Sequence, residues 1–184
     1  MTGHVLTLRP LTKAGAYEIE HWFDQPEVRH RLGDRFWIHR AVRLLREAEQ
    51  AKPGEMFRGK KVLRSYGWLA DDADGTPVAH IGGEVYDRWV RYHGEGKPTD
   101  GEIRAVTMGL GYVVDPARWR RGYGRAAIEA VLAHPDLADV ELWTCGIDAD
   151  NIASQRCAES AGFHLADPAP DFEGMLYYQR KTLT

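Results

Sequence analysis

The run Trp119-Arg120-Arg121-Gly122-Tyr123-Gly124-Arg125-Ala126 constrains this chain more than any other. An apolar stretch over 111–114 precedes it and closes at Asp115-Pro116; a helical pattern over 125–134 follows and stops at Pro135. The layout is strand, glycine-bearing basic loop, helix. Gly122 and Gly124 permit backbone angles that turn successive N–H groups inward. Those groups stand at a helix N-terminus, where the dipole favours an anion, and Arg120, Arg121 and Arg125 add positive charge. The pattern describes a phosphate or pyrophosphate cradle. Its plain alternative is a helix start with solvated arginines. Two nucleotide motifs are excluded. Gly-x-x-x-x-Gly-Lys-Ser/Thr is absent, and the nearest acid downstream, Glu141, lies inside its strand rather than closing it, as a dinucleotide fingerprint would require.

Around this run the chain alternates strands and helices. A strand is predicted over 5–8, then a helix from Thr12 to about Phe23, a charged connector over 27–33, and a helix from Arg35 to about Gln50. A basic loop over 54–60 leads to strands over 62–71 and 78–86, joined by a turn at 72–75 whose acids read as solvated. By period two, Val78, His80, Gly82, Glu84 and Tyr86 share one face. The loop 87–101 carries Trp89, Tyr92 and His93, a length that in a compact domain suits function. The strand over 102–114 contains Gly109 and Gly111, which suggest a bulge or a close backbone approach. After the helix at 125–134 come a strand over 140–147, expected parallel to the previous one, a helix from Asn151 to Gly162, and strands over 163–165 and 175–181.

The 184 residues predict a single domain spanning 1–184. A net charge of −3 sets up no global field for nucleic acid. Cys145 and Cys157 read as buried free thiols, and no apolar run reaches membrane length, so a soluble, cytoplasmic protein that binds neither nucleic acid nor membrane is expected. His80, His93 and His164 lack metal-ligand spacing, and no metal is expected.

Arg121-x-x-Gly124-x-Ala126 resembles the Gln/Arg-x-x-Gly-x-Gly/Ala loop of the GNAT superfamily of N-acetyltransferases. The stretch Asn151-x-x-Ser154-x-Arg156-x-Ala158-Glu159-x-Ala161-Gly162-Phe163 is similar to that family's Asn-containing helix, and it follows at the right separation. The likeness covers the whole layout, with recognisable residues over about 105–165. It implies an α/β (mixed α+β) acetyltransferase fold: a central, mostly antiparallel seven-stranded sheet, splayed between its fourth and fifth strands and flanked by about four helices.

It also implies acetyl-CoA as cofactor. The pantetheine arm would pair with the strand segment Tyr112, Val113 and Val114, and contact Asn151. The pyrophosphate would lie on Arg120, Arg121, Gly122, Tyr123, Gly124, Arg125 and Ala126. The activity implied is direct acetyl transfer to a primary amine. Such a transfer needs a neutral amine, a polarised carbonyl and a proton for the leaving thiolate. Many members carry a Tyr acid where this chain has Ala158, a departure that leaves Ser154 or a bound water as the candidate donor; the alternative for Ser154 is a helix-start Ser bonding its own backbone. Glu84 is the first candidate base, Asp148 the second and Glu102 the third, each with a solvated carboxylate as alternative. Cys145 reads as packing.

Helices one and two, the 87–101 loop and the 167–174 segment would form the acceptor pocket, with Trp89, Tyr92 and Phe172 as candidate linings and Trp22 and Trp37 better placed in the core. The resemblance is shared between aminoglycoside 6′-acetyltransferases and protein N-terminal acetyltransferases, so the acceptor is an amine-bearing small molecule or a protein N-terminus. A polycation would call on Asp24, Glu27, Asp34, Asp171 and Glu173. Two further readings stay open: a non-catalytic acyl-CoA-binding module, which Ala158 favours, and a DNA-binding domain, which the apolar face of the helix at 125–134 disfavours. A homodimer is left open.

Overall fold

The computed structural model describes residues 3–51, 54–92 and 102–182, with residues 47–51 described by backbone alone. Thr12 caps the first helix, α1 (Lys13–Ile19), its hydroxyl accepting the Gly15 N–H at 3.1 Å. The helix expected to run on to Phe23 tightens instead into a 3₁₀ turn, Glu20–Asp24, which buries Trp22 and Phe23. The expected connector over 27–33 is a helix, α2 (Pro26–Leu32). Its local reasons are Pro26 at the first helical position and Gln25, whose side chain accepts from the Glu27 and Val28 N–H groups. Val28 ties it to the core, and Gly33, at φ 102°, ends it. Asp34 accepts the Phe36 N–H at 2.9 Å, starting α3 (Phe36–Ala51).

The strands are β1 (Thr7–Pro10), β2 (Met56–Phe57), β3 (Lys60–Asp71), β4 (Pro77–Tyr86), β5 (Thr107–Val114), β6 (Leu142–Asp148), β7 (His164–Leu165) and β8 (Met175–Lys181). Two helices complete the set, α4 (Tyr123–Leu132) and α5 (Ile152–Ser160). The hydrogen-bonded order is β1-β3-β4-β5-β6-β8-β7, with β2 on β3, so the fold is a mixed α/β sheet of eight strands with five helices. The additional strand β2 arises where a basic loop was expected. Arg58 (φ 47°) and Gly59 (φ 81°) form a left-handed two-residue turn that pairs Phe57 with Lys60. β5 starts at Thr107 rather than 102, and Ile103 makes only an isolated bridge to Trp89. β5 and β6 are parallel, as expected.

Backbone contacts gather into two compact units: the described parts of Met1–Ala51, Tyr66–Gly82 and Tyr112–Ala133, and those of Lys52–Ser65, Gly83–Gly111 and His134–Thr184. The first is built on Leu11, Ile19, Trp22, Phe23, Ile38 and Leu69, with Val113 from the end of β5. Its buried His80 hydrogen-bonds through Nδ1 to the Trp68 carbonyl at 2.9 Å, and burial pulls its pKa down to about 4. Its turn acid Asp72 is not merely solvated: Arg118 binds it at 2.8 Å.

The second unit holds the β5–β6 ladder, which pairs Thr107–Leu142, Met108–Trp143 and Gly109–Thr144 and stops before Leu110 and Gly111. Here β4 and β5 approach so closely that a Cβ on Gly83 would stand 1.7 Å from the Gly109 carbonyl oxygen. The glycine that this approach demands is therefore Gly83. Gly109 and Gly111, the expected sites, have room for a Cβ.

Candidate active site

The loop that opens α4 has the form of an anion cradle. Arg120 (φ 61°) and Gly122 (φ 86°) take left-handed angles, and Gly122 is the N-cap with no side-chain capping bond. The first N–H groups of a helix have no partner within it, so those opening α4 are left for an external acceptor. Arg120 and Arg121 are exposed beside them. Arg125 is exposed too but engages Glu129 at 2.7 Å, one turn along α4, which weakens its claim to a phosphate. Tyr123 is held on two sides, by His4 stacked at 4.0 Å and by Arg118 at 3.3 Å from its hydroxyl. His4 also bonds the Arg121 carbonyl at 2.7 Å. Before the loop, Tyr112 is half-buried, Val113 buried, and the Val114 carbonyl accepts the Trp119 indole N–H at 2.9 Å. One lone pair of the carbonyl expected to meet pantetheine is thus already engaged.

In the other unit a side-chain cluster surrounds Glu84. Glu84 is exposed, and the buried Tyr86 hydroxyl donates to its carboxylate. Lys60 places Nζ 4.0 Å from the Tyr86 ring centroid and 5.6 Å from that of Tyr92. The Tyr92 hydroxyl donates to the Arg58 carbonyl at 2.8 Å, fixing the hairpin turn that carries both cations. Burial lowers the Lys60 pKa, against the pull of Glu84; burial also raises that of Tyr86, which stays protonated as the donor. Glu102, the third candidate base, is bound by Arg104 and Arg88 at 2.9 and 3.2 Å.

In the same unit β6 ends at Asp148, half-buried, and α5 follows. Asn151 caps α5: its Oδ1 accepts the Ser154 N–H at 3.2 Å. Ser154 is half-buried, and Ala158, on the same face of α5, is wholly buried. Cys145 is buried and its thiol pushed up to about 12 by desolvation, which makes it packing rather than a nucleophile.

The profile of the acetyltransferase (GNAT) domain matches residues 5–164. This chain belongs to the GNAT family of acetyltransferases. Over 67 residues it is 36% identical to the uncharacterized N-acetyltransferase YfmK of Bacillus subtilis (strain 168), a match spanning 36% of this chain and 45%, under half, of that protein.

Among solved structures it resembles one assigned as a ribosomal-protein-serine acetyltransferase from Vibrio cholerae, with TM-score 0.65 and 17% identity over 99% of this chain and 96% of that one. It also resembles the aminoglycoside acetyltransferase AAC(6')-Ib in complex with coenzyme A, with TM-score 0.61 and 17% identity over 96% and 94% of the two chains. An acetyltransferase from Thermus thermophilus matches with TM-score 0.64 and 18% identity over 99% and 100%. At these identities the structures establish the GNAT fold.

Trp22 is buried in the core, as expected, and Trp37 packs against the same cluster, stacked on Phe23. Tyr92 is buried against the hairpin turn, Trp89 meets Tyr177 edge-on, and Phe172 is exposed. The rest of the loop, 93–101 with His93, lies outside the described residues. The described cleft of about 720 Å³ runs between α1 and α3, where Lys13, Tyr17, Glu20, Arg35, His39 and Arg46 line it. It contains no candidate catalytic residue. Among the described residues no group of three His, Cys, Asp or Glu is placed to hold a metal, and no helix is long and apolar enough to cross a membrane.

The sequence reading gave no role to His4, Arg118, Trp119 or Lys60. Trp119 had a local signal, a ring beside the loop. Lys60 had none, since its neighbours Glu84 and Tyr86 lie on another strand.

Proposed function

We propose that this GNAT protein transfers the acetyl group of acetyl-CoA directly to a primary amine, of a small molecule or of a protein N-terminus. The observation that carries the reading is the start of α4, an uncapped helix N-terminus behind a left-handed Gly122, with exposed Arg120 and Arg121. Residues 121–126 would hold the pyrophosphate on their N–H groups, and Tyr112, Val113, Val114 and Asn151 would hold the pantetheine arm. The bound cofactor supplies the acyl group as a thioester. Glu84, exposed and oriented by Tyr86, takes the proton from the acceptor ammonium, with Asp148 as the second candidate for that role. Ser154 donates to the leaving thiolate, the role for which buried Ala158 has no group.

The structural neighbours include an aminoglycoside acetyltransferase and one assigned as a ribosomal-protein-serine acetyltransferase, so a small molecule and a protein are both acceptor classes to test. Incubating the protein with acetyl-CoA and a panel of amines, and following free thiol, tests the reading. Amine-dependent thiol release supports it; acetyl-CoA binding with no amine acetylated removes it. A Ser154→Ala variant with full turnover would remove that residue's role.

A further inference from the structure

The acids that a polycationic acceptor would need are already partnered. Asp24 binds Arg35 at 2.8 Å, and Glu27 binds Arg31 at 3.0 Å. Asp34 caps α3 through the Phe36 N–H. Asp171 accepts the N–H groups of Glu173 and Met175 and the Tyr177 hydroxyl, each at 2.9 Å. Glu173 faces Arg58 at 3.8 Å. The cleft between α1 and α3 is likewise richer in cations than in acids. A polycation would have to displace these internal partners, a cost that anionic acceptors do not meet.

Beside Glu84 stands a cation held by ring faces, Lys60. Lys60 holds its ammonium over the face of Tyr86, while Glu84 sits at that ring's hydroxyl. One phenol ring therefore spaces a cation from the proposed base. We infer that the acceptor is a primary amine carrying a carboxylate close to its nitrogen, with Lys60 as the residue that selects it. Resting on the acetyl-transfer reading above, this names the substrate class of that site. The amine faces Glu84 and the anion faces Lys60. An acceptor whose second charge is positive meets Lys60 as a like charge, and such pairs suppress wrong partners.

The test compares acceptors at saturating acetyl-CoA: the dipeptide amides Asp-Ala and Asn-Ala, free alanine and alaninamide, and kanamycin as polycation. The wild type is expected to favour the acidic member of at least one pair by about tenfold in kcat/KM, chiefly through KM. The peptide pair and the amino-acid pair distinguish a protein N-terminus from a free amino acid as the source. Lys60→Met, which keeps the stem against the two rings, should bring the acid-to-amide ratio near one. Lys60→Arg should retain it.

An unchanged ratio in Lys60→Met overturns the inference, as does a wild-type preference for kanamycin; either result leaves acetyl transfer standing. No thiol release with any amine in the panel overturns the inference and strikes at the acetyl-transfer reading as well. Should Lys60→Met fail to fold, the wild-type ratios alone decide: a ratio near one in both pairs overturns the inference.

Discussion

The cradle at 120–126 and the cluster around Glu84 are built in opposite ways. The cradle is one continuous stretch whose working groups are backbone N–H, exposed by a left-handed Gly122 at the start of α4. The cluster draws on Arg58 and Lys60 from a hairpin, Glu84 and Tyr86 from β4, and Tyr92 beyond it, and its working groups are side chains. A site made of backbone tolerates side-chain change, because no single side chain holds the ligand. A site made of side chains loses its chemistry with one atom.

Four measurements test that contrast. The largest effect is expected at Glu84. Glu84→Gln keeps the shape and removes the proposed base, and kcat should fall by about 10²–10⁴-fold; turnover within twofold of wild type would move the base to Asp148 or to water.

Next is the backbone beneath Glu84. Gly83→Ala forces a Cβ to within 1.7 Å of the Gly109 oxygen, whereas a Cβ on Gly111 meets nothing within 4 Å. Urea unfolding should show roughly 3 kcal/mol lost for Gly83→Ala and under about 1 for Gly111→Ala. Equal losses would refute the close approach.

The third concerns His80, in the unit that carries the cradle. Its folded pKa of about 4 lies below the ordinary 6.5. Between those values the unfolded chain takes up a proton that the folded one refuses. Stability from this group is thus complete above pH 6.5 and falls as pH drops to 4, by roughly 3 kcal/mol at most. A His80→Gln variant should lose that acid slope; the same slope in both proteins would assign it elsewhere.

The smallest effect is expected in the cradle. Arg120→Ala with Arg121→Ala should raise the KM for acetyl-CoA by only about tenfold, about 1.4 kcal/mol, and the difference should shrink as salt is added. A loss of binding altogether would mean that the arginines, and not the N–H groups, hold the anion.

The fold was legible wherever a local pattern carried it. Thr12 caps α1 as read, β8 occupies 175–181 as read, and the strand, glycine loop and helix layout around Gly122 is present. α2 escaped because its starting signals, Gln25 and Pro26, resemble a helix stop when read after Asp24. β2 escaped because two residues carry no periodicity, and its strand character comes entirely from pairing with β3. At the candidate site, Glu84 and Tyr86 were found together by period two. The partners of Asp24, Glu27, Asp171 and Glu173 were not found, and these turned a supposed acidic patch into internal ion pairs and caps.

For this protein, the order of residues was enough to determine the glycine-bearing basic loop, the Asn151 to Phe163 helix and the family they mark. Both are short-range: their groups stand within one or two turns of each other along the chain, so spacing carries the geometry. It took the folded sheet to show that Gly83 is demanded by the approach of β4 and β5, which acids are engaged, and that Lys60 shares a ring with Glu84. Each depends on strand register, which brings residues far apart in sequence within a few ångströms and leaves no trace in local spacing.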